Sequence, residues 1–205
     1  MDNLEKWNKV YKNRPPTELP WYGVPFLEHI RPFLDTLKKS ELIILVGCGV
    51  GDTVDKLHKE GFTNIIGTDI SSEAIEKAKK RFPHLSFKYI GTEQLSKENY
   101  REANVIDWLN FHQIQPELIA AYLGSLAKIS KSLYIAYFYD PQHPYSRSSM
   151  VTGDLVYNYE PQQVANLLKG IEKTQESVFY VEPKKVVGRL GDKLRAVAQI
   201  YRKKK

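Results

Sequence analysis

The chain has 205 residues, 42% of them hydrophobic and 26% charged, the balance of a globular domain with room for a substantial core. The net charge of +6 owes four units to Arg202-Lys203-Lys204-Lys205, so the body is close to neutral, which argues against a nucleic-acid-coating protein. The single cysteine, Cys48, excludes an internal disulfide and a cysteine metal cluster. No apolar run approaches the roughly 20 residues of a membrane helix, and Met1-Asp2-Asn3-Leu4-Glu5-Lys6 lacks a signal-peptide core, so the expected location is cytoplasmic.

Leu4, Trp7, Val10 and Tyr11 recur at helical spacing and predict a short amphipathic helix up to Lys12. A loop from Arg14 to Gly23, broken by three prolines, carries Trp21 and Tyr22. Pro25 opens a second helix with an apolar stripe of Phe26, Leu27, Ile30, Phe33, Leu34 and Leu37, which Pro32 should kink or divide. Leu42 to Val46 reads as a strand running into Gly47-Cys48-Gly49-Val50-Gly51, and a helix follows over 52–60, closed by Gly61. Glycines at such a turn permit a tight bend and close approach of a ligand to the backbone. The stretch alone fits either a nucleotide-type site or a plain strand–turn–helix unit.

Asn64 to Ser71 is a second short strand ending in an acid, Asp69. Ser71 or Ser72 caps a helix through Arg81, with acids early and bases late to complement its dipole. Leu85 to Ile90 alternates as a strand, Gly91 to Leu95 leaves it as a loop, and Ala103 to Leu109 is a further strand. Pro116 to Ile129 is helical and Leu133 to Tyr139 is an aromatic-rich strand. The segment from Asp140 to Gly153 is long for a loop and is read as a substrate lid. A helix over Pro161–Leu168 precedes strands at Ser177–Val181 and Leu194–Tyr201, joined through Pro183, Gly188 and Gly191 as an antiparallel pair. This order predicts an α/β fold, a doubly wound, mostly parallel sheet of seven strands with an antiparallel C-terminal pair. One domain is expected, with a helical cap over 1–39, a ligand-binding core over 40–140, and the lid segment and last strands over 141–205.

Asp69 follows Gly51 by 18 residues at the end of the adjacent strand, where an acid accepts hydrogen bonds from both hydroxyls of a ribose held at the glycine turn. With Val46 to Gly51, Gly67-Thr68-Asp69-Ile70-Ser71, Gly91 to Leu95 and the closing strand pair in this order, the chain resembles the class I (Rossmann-like) S-adenosylmethionine-dependent methyltransferases. Trp7 to Tyr11 followed by Pro20-Trp21 loosely resembles their small-molecule branch, which includes thiol and thiopurine methyltransferases.

The resemblance implies S-adenosylmethionine as cofactor. Gly47, Cys48, Gly49 and Gly51 then approach its methionine portion and ribose, Asp69 binds the ribose, Ile70 lies against the adenine, and Thr92 and Glu93 line the adenine edge. Asp107, Trp108, Leu109 and Asn110 face the methionine end and the substrate. The family usually has an acid two residues before the first glycine, where this chain has Leu45, so either cofactor affinity falls or another group such as Asp107 substitutes. The loop after the third strand, usually Gly-Asp, is here Gly91-Thr92.

Asp107, an acid ending an apolar strand, and His112 are the catalytic candidates; for His112 a structural hydrogen bond is the competing role. Trp7, Tyr11, Trp21 and Tyr22 form either a hydrophobic cap or an aromatic cover over the sulfonium. No His/Cys/Asp/Glu set has metal-ligand spacing. The 13 Tyr, 8 Phe and 3 Trp suit a pocket for a flat or apolar substrate. The expected activity is methyl transfer to a small aromatic or apolar acceptor, with no membrane partner and nucleic acid an improbable one. A non-catalytic cofactor-binding protein of the same fold and a protein- or RNA-directed methyltransferase using the basic tail stand as alternatives.

Overall fold

The computed structural model describes residues 3–19, 21–98, 100, 102–142, 147–148, 155–181 and 194–204. Helices α1 (Asn3–Asn13) and α2 (Leu27–Leu34) precede β1 (Ile43–Val46), α3 (Asp52–Lys59), β2 (Ile65–Asp69), α4 (Ser72–Arg81), β3 (Ser86–Tyr89), α5 (Thr92–Leu95), β4 (Ala103–Trp108), α6 (Ile119–Ile129) and β5 (Ser130–Phe138). The two-residue strands β6 (Arg147–Ser148) and β7 (Leu155–Val156) pair with each other, and α7 (Pro161–Leu167), β8 (Ile171–Val181) and β9 (Leu194–Lys203) close the chain.

The main sheet has seven strands in the order β3-β2-β1-β4-β5-β9-β8. The first five are parallel, while β9 runs antiparallel to both β5 and β8. The chain leaves β1 toward β2 on one side and returns to β4 on the other. Ligands bind in such sheets at the crevice where the winding reverses, here outside the C-terminal ends of β1 and β4.

Two apolar clusters cover the two faces. Leu45, Ile106, Tyr134 and Ala136 face one side, packed with Ile30, Phe33 and Leu34 of α2, Val54 and Leu57 of α3, and Ile75 and Ala78 of α4. Val46, Val105, Ile135 and Tyr137 face the other, packed with Tyr122, Leu123 and Leu126 of α6 and Val164 of α7. Pro32 sits inside α2 near its C-terminal end. Ser71 caps α4, its Oγ accepting from Ala74 N at 3.1 Å.

Several elements differ from expectation. Residues 92–95 form a short helix instead of a loop. The first residue of β5 directly follows the last of α6, with the buried Ser130 hydroxyl donating to Leu126 O at 2.7 Å and that of Ser132 donating to Asn104 Oδ1 at 2.6 Å. β8 starts at Ile171, six residues earlier than expected, because its polar stretch 172–177 is exposed on both faces and shows no alternation. Arg202 and Lys203 belong to β9, with Arg202 donating to Thr36 Oγ1 and Lys203 paired with Glu102, so half of the basic tail is anchored. Most of the expected lid and the link with Pro183, Gly188 and Gly191 lie outside the described residues, as does Pro20.

Candidate functional site

The turn after β1 is left-handed at three positions: φ is +64° at Gly47, +54° at Gly49 and +90° at Gly51. L side chains rarely adopt such angles, which explains the alternate-residue glycines. Their surroundings divide the three by role. A methyl group on Gly51 would stand 2.9 Å from Phe87 Cζ, so this glycine lets β3 pack behind the turn. On Gly49 it would stand 2.9 Å from the Tyr11 hydroxyl, and on Gly47 2.5 Å from Asn110 Cγ. Tyr11 and Asn110 therefore line the face of the turn that opens on the crevice.

The turn is tied down from three directions. Cys48 N donates to Thr68 O at 2.9 Å, joining it to β2. Gly49 N donates to Asp69 Oδ2 at 2.8 Å. Arg81 donates to Val50 O at 2.7 Å while forking onto both carboxylate oxygens of Asp52 at 2.6 Å, which holds the end of α4 against the start of α3. Sequence reading assigned Arg81 only to the helix dipole; its role as an anchor depends on a pairing 29 residues away.

Asp69 is 7% exposed, and its other oxygen accepts from Ser71 N at 2.8 Å. Burial pushes its carboxyl up to about 6, against the opposing pull of the backbone N–H groups of Ser71, Gly49 and Ile70. The Tyr11 hydroxyl is pushed up too, first by burial and then by the nearby Asp69 and Cys48. Ile70, beside the acid, is 37% exposed. Cys48 is buried within the turn. Thr92 and Glu93 open α5 beyond β3, and their side chains lie outside those described.

Helix α1 is fastened over this region. Asn8 Oδ1 accepts from Ser71 Oγ at 2.7 Å and, at 3.3 Å, from Ser72 Oγ and Glu73 N. Lys77 Nζ donates to Tyr11 O and Arg14 O at the C-terminal end of α1. Trp7, Tyr11 and Trp21 pack mutually with ring centroids about 6 Å apart, against Val50 and Ala74. Of the aromatic quartet, Tyr22 is partly exposed beside them.

At the end of β4 the two catalytic candidates are enclosed. Asp107 is fully buried. Its Oδ1 accepts from Asn110 N at 3.2 Å and Phe111 N at 3.1 Å, and its Oδ2 accepts from the Tyr122 hydroxyl at 2.5 Å. Burial pushes this carboxyl up to about 6. The register pairs Asp107 with Val46, while Leu45 pairs with Ile106, so Asp107 and Leu45 face opposite sides of the sheet. The substitution of Asp107 for an acid at 45 is thus corrected: the carboxylate lies on the α6 side and holds the turn after β4. His112 is 4% exposed, its ring 4.7 Å from that of Phe138, and Tyr157 N donates to its backbone oxygen at 2.9 Å. Its Nδ1 has no hydrogen-bond partner among the described residues, and burial pushes the imidazole down to about 3, so it is neutral at pH 7.

Trp108, one residue on from Asp107, faces the α2 side. It stacks on Phe179 at 5.5 Å and 8° and meets Phe26 edge-on at 5.3 Å. His29 lies 4.2 Å from Phe179, making a wall of flat rings drawn from α2, β4 and β8, beside the crevice. No group of three or more metal-ligating side chains occurs among the described residues.

Residues 43–132 match a family model described as a methyltransferase domain. The mouse protein named eEF1A lysine and N-terminal methyltransferase is 31% identical over 97 residues, which is 45% of this chain and 14% of that protein. The chain thus spans about a seventh of the length of that curated relative. An S-adenosylmethionine-dependent methyltransferase structure from Anabaena variabilis superposes with a TM-score of 0.75 at 17% identity, covering 98% of this chain and 93% of that one. The structure of Burkholderia thailandensis 1,6-didemethyltoxoflavin-N1-methyltransferase, with bound 1,6-didemethyltoxoflavin and S-adenosylhomocysteine, gives a TM-score of 0.62 at 14% identity, covering 98% of this chain and 84% of that one. The fold is the Rossmann-like fold of these methyltransferases, and residues 43–132 are the part that resembles the methyltransferase-domain model.

Proposed function

We propose that this methyltransferase domain binds S-adenosylmethionine in the crevice between β1 and β4 and transfers its methyl group to a flat, apolar acceptor held against the Trp108 wall. The observation that carries the reading is the glycine turn bonded to Asp69. Two left-handed glycines let Asn110 and Tyr11 pack directly on the turn, a buried acid bonded to the turn would take the ribose, and exposed Ile70 would offer a surface for the base. These residues fit the cofactor.

Gly47 and Gly49 would line its amino-acid end and ribose, Asp69 would take the ribose hydroxyls, and Tyr11 and Trp21 would close over the top. When bound, the cofactor supplies a methyl group already activated as a sulfonium. The protein then has to align the acceptor and exclude water. The half-buried Trp108 and His29 rings, backed by the buried Phe179 and Phe26, would do both for a planar acceptor. A general base is needed only for an acceptor that arrives protonated. Asp107, with both oxygens already engaged and no exposed surface, is read as a structural residue of the β4 turn. His112 is neutral and has an unpartnered Nδ1 among the described residues, but it is only 4% exposed, and we give it no role in the transfer.

A protein amine is the second reading, favoured by the curated relative, whose name specifies a lysine and N-terminal methyltransferase. Incubation with tritiated-methyl cofactor tests both. Label passing to members of a panel of aromatic metabolites supports the first reading. Label passing only to protein lysines or N-termini replaces it with the second, and label passing to neither contradicts both.

A further inference from the structure

We infer that Asn110 presents a fixed acceptor to the ammonium group at the amino-acid end of the cofactor, with Asp107 and Tyr122 as the positioning residues that orient it. The inference rests on the cofactor reading above. It answers the question raised by Leu45, which places a fully apolar side chain where an acid was expected.

The orientation follows from counting protons. Tyr122 has one hydroxyl hydrogen. Asp107 as a carboxylate only accepts, and it lies 2.5 Å from the Tyr122 oxygen, so that hydrogen points to Asp107. The Tyr122 oxygen is then left to accept, and it does so from Asn110 Nδ2 at 2.8 Å. With the nitrogen of the carboxamide committed to α6, its oxygen is turned the other way. It lies 2.6 Å from where a Cβ on Gly47 would stand, at the reversal point of the sheet.

The backbone reinforces this placement. Leu109 is in the left-handed region, with φ +54°, a conformation uncommon outside glycine that marks a local requirement. It ends β4 abruptly and throws Asn110 back over the glycine turn. Leu109 N donates to Ala136 O at 2.9 Å, and the Asp107 carboxylate holds the next two N–H groups. Asn110 is thereby fixed through its backbone and its side-chain nitrogen, and its side-chain oxygen is the end turned to the glycine turn. A cation held at the β1–β4 crevice would meet an oxygen already oriented by Tyr122. The buried acid at 107 acts on the crevice indirectly, from the far face of the sheet, through Tyr122.

Two ligands separate this role from a general structural one. S-adenosylhomocysteine carries the amino-acid end; 5′-methylthioadenosine shares the adenosine and sulfur but lacks it. Calorimetric titration of both into the wild-type chain, Asn110→Ala and Tyr122→Phe is the test. Asn110→Ala should weaken S-adenosylhomocysteine by about 10- to 100-fold, the loss expected for a hydrogen bond to a charged group, and leave methylthioadenosine within about twofold. Tyr122→Phe, which frees the carboxamide to rotate, should produce a smaller loss of the same selectivity, and it serves alone if the first variant does not fold. Equal losses for the two ligands, or no loss for either, overturn the inference while leaving the cofactor reading standing. Failure of the wild-type chain to bind either ligand overturns the cofactor reading, and this inference with it.

Discussion

Tyr11 covers Gly49: a methyl group on that glycine would stand 2.9 Å from the tyrosine hydroxyl. The contact joins the N-terminal helix to the glycine turn. The fastening is specific. Asn8 takes three donors from the start of α4, and Lys77 takes the last carbonyls of α1.

Replacing Lys77 by Met removes the cation from the α1 C-terminus and leaves its carbonyls to water. Amide hydrogen exchange over residues 3–13 should rise by about tenfold, while exchange in β1 and β4 stays unchanged. Unchanged exchange in α1 would show that the aromatic packing alone holds the helix.

Trp21 contributes packing rather than hydrogen bonds. It meets Trp7 at 5.8 Å and Tyr11 at 6.1 Å, both edge-on. Trp21→Ala should weaken S-adenosylmethionine binding by about tenfold in calorimetry, the value of an aromatic pair and its apolar area. The far-ultraviolet circular dichroism should not change, because Trp21 lies in a loop and belongs to no helix or strand. Undiminished affinity would identify the quartet as a cap and nothing more.

Gly51 tests the other side of the turn. Its φ of +90° and the 2.9 Å approach to Phe87 both act against a side chain. Gly51→Ala should cost about 2–4 kcal/mol in urea unfolding, from left-handed strain and overpacking together. Gly91→Ala, where a Cβ meets nothing within 4 Å, should cost far less. Equal effects at the two sites would remove the packing explanation.

Asp107 gives a pH signature. Its carboxyl is raised in the folded chain to about 6 from an ordinary 3.8, so between those values the folded state holds a proton that the unfolded state has released. Stability contributed by this group therefore falls as pH rises from about 4 to about 6, by roughly 2–3 kcal/mol. Asp107→Asn carries no such cost, so its stability relative to wild type should improve by that amount between about pH 4 and 7. A difference that does not vary with pH would mean that Asp107 titrates normally. The three hydrogen bonds on its carboxylate limit the rise without cancelling it.

Strands β1 and β2 were legible because each is short, mostly apolar and bounded by glycine or a capping residue. Leu42 to Val46 and Asn64 to Ser71 announce both their type and their ends. The polar half of β8 was not, because residues 172–177 lie at the sheet edge with neither face covered, and periodicity arises only where one face is buried. In the site, Asp69 and the glycines were legible because local backbone geometry demands them. Asp107 was visible as an anomaly, an acid in an apolar strand, but its partner is a tyrosine 15 residues away on the next helix, and no local pattern links them. Asn110 was readable only as a member of the segment after β4. Its orientation depends on the left-handed Leu109, which the sequence does not mark.

The most direct test is the calorimetric titration of S-adenosylmethionine into the wild-type chain. The glycine turn, Asp69 and the Tyr11 cover predict saturable one-site binding with a Kd on the order of 1–100 μM, and competition by S-adenosylhomocysteine. The absence of any binding heat up to about 1 mM ligand, a range that includes weak sites, would contradict the account.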